Sequence, residues 1–210
     1  MLNLSMILLL PILIASSPSS MYTYTVQEES WISLSGSSNI NTFDCYSNSD
    51  VLNGNLIVTT NGKENALNFT NALLKLNVKS FDCKNPMLNK DLYKTLGAEE
   101  TPFITIELID ATTTRQIEVN RTIIGKMTAT IAVTINNKCK MVEIPITWQK
   151  VGASNFRFTG SKELNMSDFD ISPPTAAFGL IRVNNQISIS FSMVVSASSI
   201  IQSGTFSENR

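Results

Sequence analysis

No histidine occurs among the 210 residues of this chain. That absence removes the Ser-His-Asp and Cys-His nucleophile pairs and most zinc and copper sites, because imidazole is the base or the ligand in each. Paired carboxylates are the remaining route to acid–base chemistry, but the acids are scattered singly through polar stretches. Asp168 and Asp170 are the nearest pair in an interesting place. On an extended chain a spacing of two puts them on one face; beside Ser172-Pro173 they read as turn and cap residues instead. Cys45, Cys83 and Cys139 are dispersed, with no histidine to complete a metal site. No catalytic or metal-ligating set is expected, and the chain reads as a non-enzyme.

The elements that carry these residues are strands. Period-two alternation of apolar and polar residues runs along most of the chain. Leu74, Leu76 and Val78 form one such face, Ile104, Ile106 and Leu108 another, and Met127, Ala129, Ile131, Val133 and Ile135 a longer one. Val142, Ile144, Ile146 and Trp148 follow, then Phe156 and Phe158, then Ile187, Ile189, Phe191 and Met193. Ser188, Ser190 and Ser192 would form the wet face of that last strand. Asn53-Gly54, Asn61-Gly62, Asn136-Asn137, Gly152 and Asn184-Asn185 supply the turns. Two helical patches interrupt the pattern. One starts at Asn85 or Asn89 and runs to Leu96, with Leu88, Leu92 and Leu96 four apart and Gly97 as the stop. The other is a short turn over Pro173–Phe178, with Ser172 as its cap and Gly179 at its end.

Eight or so strands with one apolar face each must bury a common interior. A closed antiparallel barrel and a two-sheet sandwich both do this, and alternation alone does not separate them. The length suits one domain, expected over residues 21–210. Net charge is −1, which gives no electrostatic footprint for nucleic acid. Met6 to Ala15 is an apolar run broken by Pro11 and followed by Ser16-Ser17-Pro18-Ser19-Ser20. It is too short to span a bilayer, so residues 1–20 read as a secretory signal and the mature chain has no transmembrane span.

Four segments, in order, resemble the YceI-like family: Ser35-Gly36-Ser37-Ser38-Asn39-Ile40-Asn41-Thr42-Phe43, then Phe81 to Tyr93, then Gly160 to Asp168, then Asp168-Phe169-Asp170-Ile171-Ser172-Pro173-Pro174 through Leu180. The resemblance implies an all-β, extended lipocalin-like antiparallel barrel of about eight strands, with one or two short helices at its mouth. It also implies a periplasmic or secreted protein that holds an isoprenoid, a quinone or a fatty amphiphile in its interior, without a cofactor of its own. The side chains expected around that ligand are Trp31, Phe43, Leu74, Phe103, Ile106, Phe158, Phe169, Phe178, Ile187, Phe191 and Met193. Cys45 and Cys83 each follow a Phe-Asp dipeptide in a matching segment and can pair in an oxidising compartment; three free thiols are the other reading.

Whether such an interior is hollow decides the function, since an eight-stranded barrel is either filled by side chains or holds one small ligand. Burying about ten ligand carbons contributes on the order of 8 kcal/mol, against association costs of at least about 4 kcal/mol. A filled core would instead leave a protein-interaction module. The exposed lip around the Pro-Pro segment offers a surface for a second copy of the chain.

Overall fold

The computed structural model describes residues 19–48, 53–60 and 65–200. In chain order the strands are β1 (Ser19–Val26), β2 (Trp31–Ser38), β3 (Thr42–Asn48), β4 (Asn53–Thr60), β5 (Ala66–Thr70) and β6 (Leu73–Asn77). The helix α1 (Pro86–Thr95) follows, then β7 (Phe103–Val119), β8 (Thr122–Ile135), β9 (Lys138–Lys150), β10 (Asn155–Asn165), β11 (Thr175–Ala176) and β12 (Ile181–Ser199). The leader reading of residues 1–20 falls outside the described residues except for Ser19 and Ser20, which open β1.

Eight strands form an antiparallel ring in the order β1-β4-β5-β7-β8-β9-β10-β12. The ring closes where β12 pairs β1, with Val26 opposite Val195 and Tyr22 opposite Ser199. A barrel, not a sandwich, is therefore what the alternating faces build, and closure leaves the ring with no edge strand to protect.

The two longest strands each serve two tiers. β12 pairs β1 through Val195–Ser199 and β2 through Val183–Ser192. β7 pairs β5 near Ala111 and β6 near Ile104, with a register shift at Leu108/Asp110 between them. One tier is thus completed by β1, β4 and β5. The other is completed by β2, β3 and β6, and its wall has no ladder between β3 and β6. Two hydrogen bonds between Tyr46 and Asp82, at 3.0 and 2.8 Å, bridge that gap, and the Cys45–Cys83 disulfide stands beside them. The pairing read from the two Phe-Asp-Cys segments is present. Cys139 is free and exposed.

α1 begins where its sequence says it can. Asn85 Oδ1 accepts from the N–H of Met87 at 3.0 Å and of Leu88 at 3.3 Å, and Pro86 occupies the first helical position, where an N–H is not needed. Gly97, at φ +67°, ends it. Leu88 and Leu92 pack against the main hydrophobic core, and Leu96 is buried in it. Asn89 ties the helix to the disulfide loop, accepting from Cys83 N at 2.7 Å and donating to Asp82 Oδ1 at 3.0 Å.

The second helical patch is different from the expectation. No helical turn starts at Ser172: residues 171–174 have no regular structure, and Thr175–Ala176 form β11. The turn is a 3₁₀ segment, Ala177–Gly179, with Phe178 at φ 57°. Two consecutive prolines favour extended backbone, because each proline disfavours α geometry in the residue before it.

Candidate functional site

The interior of the barrel is half filled and half hollow. In the tier completed by β1, β4 and β5, Ala111, Ala129 and Ile144 are buried with Phe69, Met127, Ile146 and Phe191 packed around them. Ala111 lies opposite Ala129 across the β7–β8 ladder, and these small side chains make room for the large ones. Beyond them the half-buried Trp148, Phe156 and Phe158 form an aromatic group with ring centroids 6.3 and 6.5 Å apart.

The other tier encloses an apolar cavity of about 200 Å³ at the mouth and one of about 140 Å³ deeper in the barrel. Leu34, Leu96, Ile135 and Ile187 belong to the walls of both, so the two lobes adjoin across these side chains. The mouth lobe is bounded by Phe43, Leu88, Leu92, Phe169 and Ile171, with the disulfide in its wall. The inner lobe is bounded by Leu74, Leu76, Ile104, Ile106, Val133 and Met193 among others. Ile187, Ile189, Phe191 and Met193 point inward yet are only half-buried, because they face the hollow. Apolar cavities of about 150 Å³ stay dry and accept benzene-sized guests, so each lobe is of ligand size.

Local sequence shapes the entrance. Gly36 lies opposite Phe43 on the β2–β3 ladder, and the Phe43 ring occupies the space a side chain at Gly36 would need. The ring thereby lies against the strand and lines the mouth instead of blocking it. Phe169 is fully buried at the end of a 3₁₀ turn, Met166–Phe169, that Asp170 closes in the left-handed conformation at φ 57°. Asp170 accepts a salt bridge from Lys138 Nζ at 2.7 Å, and that ammonium holds its carboxyl below the usual range. Asp168 and Asp170 are thus turn residues, as their place beside Ser172-Pro173 suggested. Asp82 is held lower still, to about 2, by hydrogen bonds from Lys84 and then Asn89.

Apolar residues also ring the outside of the mouth. Ile40 and Met87 line the mouth lobe while being largely exposed, and Leu180 is exposed nearby. Asn39 fixes this lip, donating to Leu180 O at 2.9 Å and accepting from Arg182 N at 2.8 Å.

Seven of the eleven side chains expected around a ligand line the hollow: Phe43, Leu74, Ile106, Phe169, Ile187, Phe191 and Met193. Four do not. Trp31 alternates with inward Ile32, so it faces outward and packs edge-on against Tyr46 at 6.4 Å. Phe103 is half exposed at the start of β7, one residue out of phase with inward Ile104. Phe158 points inward but lies in the aromatic group past the floor of the hollow. Phe178 is fully exposed at the tip of the lip. Leu88, Leu92 and Ile171 were not expected in the wall, and their helical or irregular backbone explains why alternation misses them. Lys162 was also missed. It lines the inner lobe and shares an inward face with Gly160 and Leu164, but a lysine in an alternating strand ordinarily reads as solvent-facing.

Among the described residues, no group of three or more Cys, Asp or Glu is placed to hold a metal, and no helix is long and apolar enough to cross a membrane. Residues 28–195 match the family model of the YceI-like domain. The chain belongs to the YceI-like family. Among solved structures, this YceI-like chain is similar to a polyisoprenoid-binding domain from Saccharophagus degradans implicated in plant cell wall breakdown. That alignment covers 83% of this chain and 98% of the other, at 9% identity and a TM-score of 0.58. BcnA of Burkholderia cenocepacia aligns over 80% of this chain and 98% of its own, at 18% identity and a TM-score of 0.47. No curated protein matches the sequence. At these identities the likeness concerns the fold.

Proposed function

We propose that this YceI-like protein is a non-enzymatic carrier, periplasmic or secreted, that shields the chain of an isoprenoid, quinone or similar amphiphile in its hollow tier. The observation that carries the reading is the two-lobed apolar hollow, open at one end and floored by a packed core at the other. A ligand chain laid through both lobes buries on the order of ten carbons, worth about 8 kcal/mol before association costs. The similar domain from Saccharophagus degradans is described as polyisoprenoid-binding, which agrees with this use of the fold. The Cys45–Cys83 bridge supports an oxidising compartment, as does the apolar run before Ser16.

Organic extraction of the purified protein, followed by mass spectrometry, tests the reading. A reproducible co-purifying prenyl or acyl lipid is the expected result. Empty protein that also fails to take up a fluorescent prenyl or acyl probe would reject it in favour of an interaction module.

A further inference from the structure

The four most exposed large apolar side chains among the described residues stand at one end of the molecule. Phe178 is fully exposed, and Leu180, Met87 and Ile40 are 75%, 72% and 64% exposed. They come from three separate segments: the β2–β3 turn, the first turn of α1, and the stretch between β11 and β12. Ile40 and Met87 also line the mouth lobe, and Asn39 holds Leu180 beside them by donating to its carbonyl oxygen at 2.9 Å. The ring is therefore the outer continuation of the lobe's own wall. Single exposed apolar side chains need no explanation, but a group gathered around an opening marks a contact surface.

The lip is built to hold its side chains out. Ala177, Phe178 and Gly179 all have positive φ, at 49°, 57° and 86°. Glycine adopts that region freely, whereas a bulky residue there is strained. The turn is fixed nonetheless. Arg182 Nε donates to Gly179 O at 3.1 Å, Arg182 N to Asn39 Oδ1 at 2.8 Å, and Leu180 N to Ala177 O at 3.2 Å. Phe178 thus combines backbone strain with full exposure and adds no packing to the barrel. A second exposed apolar group, Ile117, Val119 and Ile123 on the β7–β8 hairpin, is less exposed and is interleaved with Glu118 and Arg121. It lies at the end of β7 away from the hollow.

We infer that the ring of Ile40, Met87, Phe178 and Leu180 docks on the surface of a phospholipid bilayer. Phe178 and Leu180 insert at the boundary between head groups and acyl chains, and the mouth lobe opens onto the lipid. This rests on the carrier reading and names the partner that supplies the guest. The chain of an amphiphile resides in a bilayer, and a continuous apolar path into the lobe lets it cross without meeting water. A rigid partner seated on the ring would close the opening that Ile40 and Met87 line, whereas a fluid acyl layer extends into it. The charges beside the ring are mixed: Lys84 is paired with Asp82, and Asp91 in the lobe wall follows Lys90 on α1. Docking is therefore apolar and does not select anionic lipid.

The apolar run Met6 to Ala15 gives the full chain a second route to a vesicle, so insertion is read at the lip itself. In Phe178→Trp, emission should shift to the blue on phosphatidylcholine vesicles and be quenched by bromines on their acyl chains. In Ile117→Trp it should not. Phe178→Ser with Leu180→Ser should slow transfer of a fluorescent prenyl probe from vesicles about tenfold or more, while uptake of the same probe from water stays unchanged. A lip tryptophan that the bromines do not quench overturns the inference, as does insertion that requires phosphatidylglycerol and disappears in high salt. A blue shift without vesicles, accompanied by a dimer in light scattering, assigns the ring to a second copy and also overturns it. In each of these cases uptake from water leaves the carrier intact. Probe uptake from neither water nor vesicles, with the lip inserted, overturns the carrier reading alone.

Discussion

The two tiers of the barrel share the ring strands β7, β8, β9, β10 and β12 but end in opposite states. Around Ala111 and Ala129 the interior is packed, whereas around Ile104, Val133 and Ile187 it encloses empty apolar space. The difference lies in what completes each wall. The packed tier is closed by continuous ladders from β1 to β4 and β5. The hollow tier is closed by the short β6, the β2–β3 hairpin, α1 and a disulfide, and it lacks a ladder between β3 and β6. Side chains on a helix and on irregular segments do not converge on a barrel axis as those of strands do. A wall patched in this way stays farther from the opposite side and leaves a cavity.

The sharpest way to break the comparison is to add volume to each tier. Ala129→Phe should cost about 3 kcal/mol or more of unfolding free energy, read by urea titration, because its site is packed and without space. Val133→Phe in the hollow tier should leave stability within about 1 kcal/mol and reduce probe uptake, because the added ring enters the inner lobe. Equal destabilisation by both would mean that the tiers are packed alike. Removing the bridge with Cys45→Ser and Cys83→Ser should cost about 3–4 kcal/mol for a separation of 38 residues, and should loosen the mouth lobe, whose wall holds both cysteines. Uptake that remains at the level of the bridged protein would separate the disulfide from the hollow.

The smallest effect expected is an acid one. The Asp82 carboxyl is depressed to about 2 by Lys84 and Asn89, below its unfolded value near 3.9. Its contribution is therefore complete above pH about 4 and is lost as the pH falls through about 2. Thermal melts over that range should show a steeper loss for the native chain than for Asp82→Asn. Parallel curves would mean that the Asp82 contacts with Lys84 and Asn89 do not couple to folding.

The alternating strands and the helix α1 were legible because each rests on local pattern. Val142, Ile144 and Ile146 alternate, and Asn85, Pro86 and Gly97 delimit α1 whatever lies opposite. The lining of the hollow was legible only where a strand lines it, as at Leu74, Ile106 and Ile187. It was misread at Trp31 and Phe103, where size suggested an inward position and the phase of the neighbouring residues dictated an outward one. Phe178 was misread because its place depends on the hydrogen bonds between Asn39, Leu180 and Arg182, which join residues 141 and 143 positions apart in the chain.

The sequence by itself determined that there is no imidazole chemistry, that the faces alternate, and that one short helix is capped at both ends. These are properties of residue type and of spacing within a few positions, set by backbone geometry and side-chain chemistry. Only the tertiary structure decided which tier is empty, where the wall is patched and which lysine points inward. Each of those depends on how strands distant in the chain meet across the barrel, and a cavity is the space that no single strand specifies.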